Sequence, residues 1–231
     1  MKRVYKIVAV EAVEGGFHVT LDQKPLRTPA RAPLVLPQRR LIEGIAAEWD
    51  AQTDKIVPES MPLMQLTSTA IDHVAPQRER IAADVAAYAA TDLVCYRADS
   101  PLALMKRQQE TWQPLVDWVR SEFDAHLTIV AGVMPQPQPQ EALETLRAAI
   151  DGLDDMELTA LQALTAATGS LVIGLATMKG RIDADAAWAA SQLDETYQIE
   201  QWGEDAEAVK RRRALLQDIR NAARFLELLR A

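Results

Sequence analysis

Leu158-Thr159-Ala160-Leu161-Gln162-Ala163-Leu164-Thr165-Ala166-Ala167-Thr168-Gly169-Ser170-Leu171-Val172-Ile173-Gly174-Leu175-Ala176-Thr177-Met178 carries no charge and is long enough to cross a bilayer. Thr159, Gln162, Thr165, Thr168, Ser170 and Thr177 interrupt it, however, and alanine dilutes it. On a transfer scale that mixture reads as a helix buried at the centre of a bundle, so no membrane insertion is expected. Asp154 and Glu157 have the spacing of a capping box opening this helix, and Gly180 suits its C-cap. Ala166, Ser170 and Gly174 recur every four residues, small enough to let a second helix come close.

Helical spacing continues on both sides of this stretch. Downstream, Ile182, Ala186, Ala189, Leu193 and Tyr197 fall on one face, and Leu215, Ile219, Ala222, Leu226 and Leu229 form the stripe of a last helix over about 205–229. Upstream, Ile42, Ile45 and Trp49 lie at i, i+3 and i+7, and Leu63, Leu66, Ala70 and Val74 make another stripe. Pro76 suits the first turn of a helix carrying Ile81, Val85 and Tyr88. The segment Leu102 to Phe123 carries Trp112, Leu115 and Val119, with Pro114 marking a kink or a helix start. Trp49 and Trp112 are expected in the core. The run Pro135-Gln136-Pro137-Gln138-Pro139-Gln140 reads as an extended spacer joining two helical layers.

Only residues 3–36 look different. Tyr5, Ile7 and Ala9 alternate with Lys6 and Val8, and Phe17, Val19 and Leu21 alternate with His18, Thr20 and Asp22. Gly15-Gly16 between them signals a hairpin, and Asp22-Gln23-Lys24-Pro25 turns the chain again. Leu127-Thr128-Ile129-Val130 is β-prone but short. The expected fold is therefore α+β: a small N-terminal α/β domain with antiparallel strands over residues 1–75, then an all-α helical bundle over 76–231.

The formal net charge of −8 argues against a nucleic-acid partner, which needs a basic surface. The one basic run, Lys210-Arg211-Arg212-Arg213, has acidic neighbours and reads as a solvated helix face. Cys95 is the only cysteine, so there is no intramolecular disulfide, and its apolar flanks make it a core residue. His18, His73 and His126 share no metal-ligand spacing. Asp72-His73 reads as a surface pair, since adjacent helical residues point apart. No phosphate-cradling loop or nucleophile elbow is present. No cofactor is expected. The competing class is a small-molecule enzyme using Asp72-His73 or Thr91-Asp92 in a pocket between the two domains.

The run Leu193 to Asp205 mixes carboxylates with bulky aromatics at a helix end. Glu200 falls on the stripe of Leu193 and Tyr197, while Trp188, Ile199 and Trp202 line the opposite side with Glu195 among them. A carboxylate on an apolar stripe needs a partner, because burying it unpaired is costly. One reading has these carboxylates capping backbone or pairing with arginines of the last helix. The other makes the segment a protein-recognition surface, with tryptophan as anchor and carboxylates setting register.

Several blocks, in order, resemble one family. They are Tyr5-Lys6, Leu21-Asp22-Gln23-Lys24-Pro25-Leu26-Arg27-Thr28-Pro29-Ala30, Glu48-Trp49-Asp50-Ala51-Gln52, Met61-Pro62-Leu63 and Thr69-Ala70-Ile71-Asp72. Tyr88 to Arg97, Trp112-Gln113-Pro114-Leu115 and Leu193 to Gly203 complete them. Together they are similar to the assembly chaperone of the F-type ATP synthase, which holds the α subunit of the catalytic head before it joins β. Gln23 departs from that pattern, where a turn glycine is usual, and puts the turn type in question. The chain lacks a mitochondrial presequence and so looks like a bacterial member. The resemblance implies a non-enzymatic, cytoplasmic holdase, expected to be a monomer, whose partner is the α subunit. It points to acidic residues of the terminal helical region, here Glu195, Glu200 and Asp205, to which we add Trp202 as the anchor.

Overall fold

The computed structural model describes residues 2–132, 134 and 136–231. Met1 and Pro135, the first residue of the expected spacer, lie outside the described residues. The protein is α+β, with antiparallel strands at its N-terminal end and helices thereafter. Strand β1 (Val8–Val13) pairs antiparallel with β2 (Gly16–Leu21), with Val10 opposite Val19. Short β3 (Lys24–Pro25) pairs with the far end of β2, and Leu36 exchanges two backbone bonds with Phe17. Ile7, which shares the alternation of Tyr5, precedes the strand and is 64% exposed. Tyr5 is buried, and its hydroxyl donates to the Trp49 carbonyl at 2.7 Å.

The turn between β2 and β3 is made by Asp22 (φ 48°) and Gln23 (φ 66°), both left-handed. Two consecutive residues at positive φ in a two-residue hairpin define a type I′ turn, which normally wants glycine at the second position. Asp22 compensates through its carboxylate, which accepts from the backbone N–H of Ile7 at 2.8 Å and Lys6 at 3.0 Å. Those bonds, Ile7's foremost, hold the Asp22 carboxyl below the usual carboxylate range. Replacing Gln23 by glycine should stabilise the protein by about 0.5–1 kcal/mol, since it removes the left-handed penalty of a residue with a Cβ. A urea unfolding midpoint unchanged or lowered by Gln23→Gly would show that the turn is unstrained.

Helix α1 (Arg39–Asp50) buries Leu41, Ile42, Ile45 and Trp49. Glu48 on it reaches the start of α2 (Pro62–Thr69), where its carboxylate accepts from the N–H groups of Leu63 (2.7 Å) and Met64 (2.9 Å). Burial outweighs these bonds and raises the Glu48 pKa. A π turn over Ala70–Val74 and a 3-10 turn over Ala75–Gln77 lead into α3 (Arg78–Ala87), so Pro76, expected in the first turn of that helix, lies in the 3-10 turn before it. Helix α4 (Leu102–Phe123) runs through Pro114, so that proline is interior and does not start the helix. A parallel pair joins β4 (Tyr96–Arg97) to β5 (Val130–Ala131), which takes up only Val130 of the β-prone run before the spacer. Within the spacer Gln138 is pinned, accepting from Thr128 N–H at 2.7 Å and donating to its carbonyl at 2.9 Å. Helix α5 (Gln140–Asp151) comes next.

The uncharged stretch is two helices, not one. Helix α6 (Asp155–Thr168) ends at Gly169 (φ 69°), and α7 (Leu171–Met178) restarts immediately. Ser170 is the N-cap of α7, accepting from Ile173 N–H at 3.0 Å. The small-residue spacing does mark a close approach, but within the stretch itself: a Cβ on Gly174 would lie 2.8 Å from Thr165 Oγ1. Every residue of α7 is buried. Gly180 ends it as anticipated, with Arg181 N–H on the Ala176 carbonyl and Gly180 N–H on that of Thr177, a Schellman pattern. Helices α8 (Ala184–Ser191), α9 (Leu193–Trp202) and α10 (Ala206–Arg230) complete the chain.

Helix α8 buries Ala187 and Ala190 and exposes Ala186 and Ala189, the reverse of the expected stripe. On α10 the stripe holds, with Ile219, Ala222 and Leu226 buried alongside Phe225.

Two compact units result. One comprises Met1–Arg78, Asp155–Thr159 and Arg224–Ala231; the other comprises Glu79–Asp154 and Ala160–Ala223. In the first, Leu63 and Leu228 pack against α1 so closely that a Cβ on Gly44 would lie 2.7 Å and 3.3 Å from them. In the second, fully buried Asp92 accepts from Ser170 Oγ (2.6 Å), Val172 N–H (3.0 Å) and Val94 N–H (3.2 Å). Trp112, wholly buried, donates from its indole to the Ala190 carbonyl at 2.8 Å.

Candidate partner-binding site

Gly203 (φ 86°) stops α9, its N–H on the Ile199 carbonyl at 2.8 Å. Two residues on, the Asp205 carboxylate accepts from Glu207 and Ala208 N–H, both at 2.8 Å, and so caps α10. The chain thus doubles back, and α9 and α10 border an open groove of about 670 Å³. Gln198, Ile199, Trp202, Lys210 and Ala214 are among its lining residues. Trp202 is 79% exposed at its edge, the most exposed aromatic among the described residues.

Each sequence-derived candidate has a definite place here. Glu195, Trp202 and Asp205 line the same groove, while Glu200 does not. Glu195 is ion-paired with Arg211 at 2.6 Å. Glu200 is paired with Arg107 of α4 at 2.7 Å, and the Arg107 guanidinium sits 5.3 Å from the Tyr197 ring centre. The partner demanded by a carboxylate on the apolar stripe is therefore within the chain. The carboxylate of Asp205 is engaged by the backbone of α10. Only Trp202 presents a large unmet surface.

The basic run is less uniform than its composition suggests. Lys210 and Arg211 are exposed, but Arg212 is buried, stacked 5.0 Å from the Trp188 ring centre. Arg212 donates to Thr196 Oγ1 at 2.8 Å and approaches Glu204 at 3.8 Å, while its carbonyl accepts from the Trp188 indole at 3.2 Å. One arginine thereby ties α8, α9 and α10 together, where the charge pattern alone makes it solvated. A signal for its burial is present in the sequence: Arg212 lies three and seven residues before Leu215 and Ile219, on the apolar stripe of α10.

Of the residues suspected of catalysis, Asp72 and Asp92 are structurally committed. Asp72 accepts from Thr28 Oγ1 (2.7 Å) and Ala30 N–H (3.0 Å), which fixes the loop before α1. Burial pushes the Cys95 thiol up to about 12, so it stays protonated and inert. Among the described residues no group of three or more His, Cys, Asp or Glu side chains is arranged to hold a metal, and no helix is long and apolar enough to cross a membrane.

An exposed aromatic beside a groove is a feature that protein-recognition surfaces share. Comparison with known proteins defines the class further. The family model described as ATP12 chaperone protein matches residues 2–120. The mitochondrial protein atp12 of Schizosaccharomyces pombe is 25% identical over 222 residues, 90% of this chain and 76% of that protein. The crystal structure of Atp12 from Paracoccus denitrificans superposes with a TM-score of 0.95 at 45% identity, covering 99% of this chain and 98% of that one. A lysine-for-aspartate variant of the Paracoccus protein gives the same TM-score at 44% identity, over 99% and 97% of the two chains. The chain belongs to the ATP12 chaperone family, whose members are assembly factors of the ATP synthase and not enzymes.

Proposed function

We infer that this protein binds the unassembled α subunit of the F-type ATP synthase head, covers its β-facing surface, and yields it when β arrives. The observation that carries the reading is Trp202, a tryptophan left 79% exposed on the groove edge where a folded protein acting alone would gain by burying it. Around it stand Glu195, Glu204, Glu207 and Lys210, charges suited to setting register and to exchange with a competing partner. The site of action that fits this client is the cytoplasm of a bacterium, where the head is assembled.

Co-expression with the host α subunit tests the reading. Soluble α should be recovered in a stoichiometric complex and released on adding β. Insoluble, unbound α would overturn it, and binding to the assembled α–β complex without displacement would make the protein a scaffold instead.

Glu200 gives a second check, because a basic residue of α could exchange with Arg107 for its carboxylate. The Arg107–Glu200 pair is roughly half exposed, so Glu200→Gln should change stability by no more than about 0.5 kcal/mol. The same variant should weaken binding of α by about threefold to tenfold. Unaltered α affinity in isothermal titration would remove Glu200 from the interface.

A further inference from the structure

Strand β1 stands at one end of the three-stranded sheet and pairs with β2 alone. Bonds on the far side of β2 fix which groups of β1 face outward. The Phe17 N–H and carbonyl both bond Leu36, and the Val19 carbonyl accepts from Leu26 N–H at 2.8 Å. The residues opposite Phe17 and Val19 on β1 are Ala12 and Val10. By the alternation of an antiparallel pair, the N–H and C=O groups of Val8, Val10 and Ala12 point away from β2, along the free edge. Among the described residues no other strand takes them up.

The edge lacks the devices that natural sheets use against further pairing. Its register is one-to-one, without a bulge, and the strand contains no proline and no lysine. The single charge, Glu11, is drawn back over β2, accepting from Thr20 Oγ1 at 3.1 Å with His18 Nε2 at 3.5 Å. No residue of β1 is buried. A row of alternating N–H and C=O groups is matched by another extended backbone, and the side chains select which one. Set β1 antiparallel to β1 of a second copy, about a twofold axis at Val10. Val8 then lies opposite Ala12, and Val10 opposite itself. Ile7 meets Val13, two apolar side chains left 64% and 37% exposed, at a non-hydrogen-bonded position where side chains approach most closely. One step further out Lys6 meets Glu14, both exposed and opposite in charge, and the axis repeats that contact at the other end. Moving the axis to Ala9 sets Ile7 against Glu11, and moving it to Glu11 sets Val8 against Glu14, so only the Val10 register keeps both matches.

We propose that β1 pairs with β1 of a second copy of this chain, joining the two sheets into one continuous sheet whose seam is closed at each end by Lys6 and Glu14. This self-pairing is independent of the chaperone reading. A single strand from each copy makes a small interface, so the dimer is weak, with a Kd of about 10 µM to 1 mM.

The test is sedimentation equilibrium of the full chain from about 5 to 500 µM, where a reversible monomer–dimer equilibrium is expected. Lys6→Glu and Glu14→Lys each set like charges together at both ends of the seam and should weaken the dimer about tenfold. The double variant Lys6→Glu/Glu14→Lys should restore the wild-type constant, because it rebuilds both contacts with their signs reversed. Val10→Pro removes an outward N–H and no bond to β2, and should abolish the dimer while circular dichroism shows the chain still folded. A wild-type chain monomeric at every concentration overturns the proposal. A dimer indifferent to both single charge reversals also overturns it, since the copies then join through another surface. If the chain stays monomeric and Val10→Pro weakens binding of the α subunit, the edge takes a strand of the client, and self-pairing is overturned in that way.

Discussion

Asp92→Ala lowers the stability of the protein by about 3–4 kcal/mol, seen as a fall in Tm of about 10 °C. The carboxylate serves three donors at once: Ser170 Oγ, Val172 N–H at the first turn of α7, and Val94 N–H. Alanine strands all three in a fully buried site, and α7, buried along its whole length, loses part of its cap. The same residue sets a pH dependence. Burial is the dominant influence and pushes the Asp92 carboxyl up to about 6 from its ordinary 3.8. The folded state therefore holds this proton more tightly than the unfolded chain does. The stability it contributes is fully present below about pH 4 and is lost as pH rises through 6, a change of roughly 3 kcal/mol. Asp92→Asn should flatten the stability profile across that window. Parallel urea profiles for wild type and Asp92→Asn from pH 4 to 7 would show that Asp92 ionises as freely folded as unfolded.

Trp202→Ala should weaken binding of the α subunit at least 30-fold, the loss expected when a central aromatic anchor worth about 2 kcal/mol is truncated. Folding stability should move by less than about 0.5 kcal/mol, because the side chain is mostly solvent-exposed in the free protein. That separation between binding and stability is the diagnostic. Titration of α into wild type and variant measures it, and equal affinities would place the contact elsewhere. Arg212 supplies the contrast. Its substitution should disturb the packing of α8, α9 and α10 through Trp188 and Thr196, so a loss of binding there would not by itself indicate contact with α.

Much of this architecture is legible in the sequence because it depends on period. The β hairpin is visible as alternation around Gly15-Gly16, and the buried faces of α1 and α10 are visible from spacing alone. The errors cluster where a helix breaks without proline. Gly169 and Gln192 interrupt continuous helical patterns. Ser170 stands out in the sequence for its small size, yet its hydroxyl, capping α7 and donating to Asp92, is what matters. At the candidate site the composition is visible, but long-range pairings such as Arg107 with Glu200 are not, since they depend on how α4 meets α9.

The first compact unit is not continuous in sequence: residues 155–159 and 224–231 belong to it, and Leu228 packs beside Gly44 and Leu63. On a ribosome this imposes a waiting time. After residue 78 emerges, the hairpin, α1 and α2 are all made, yet their core lacks the residues that close it until nearly the whole chain has been translated. At common elongation rates that interval is on the order of ten to thirty seconds, during which Leu63 and its neighbours have no final cover. A protein that guards another's unfinished surface thus spends its own synthesis with an unfinished surface of the same kind.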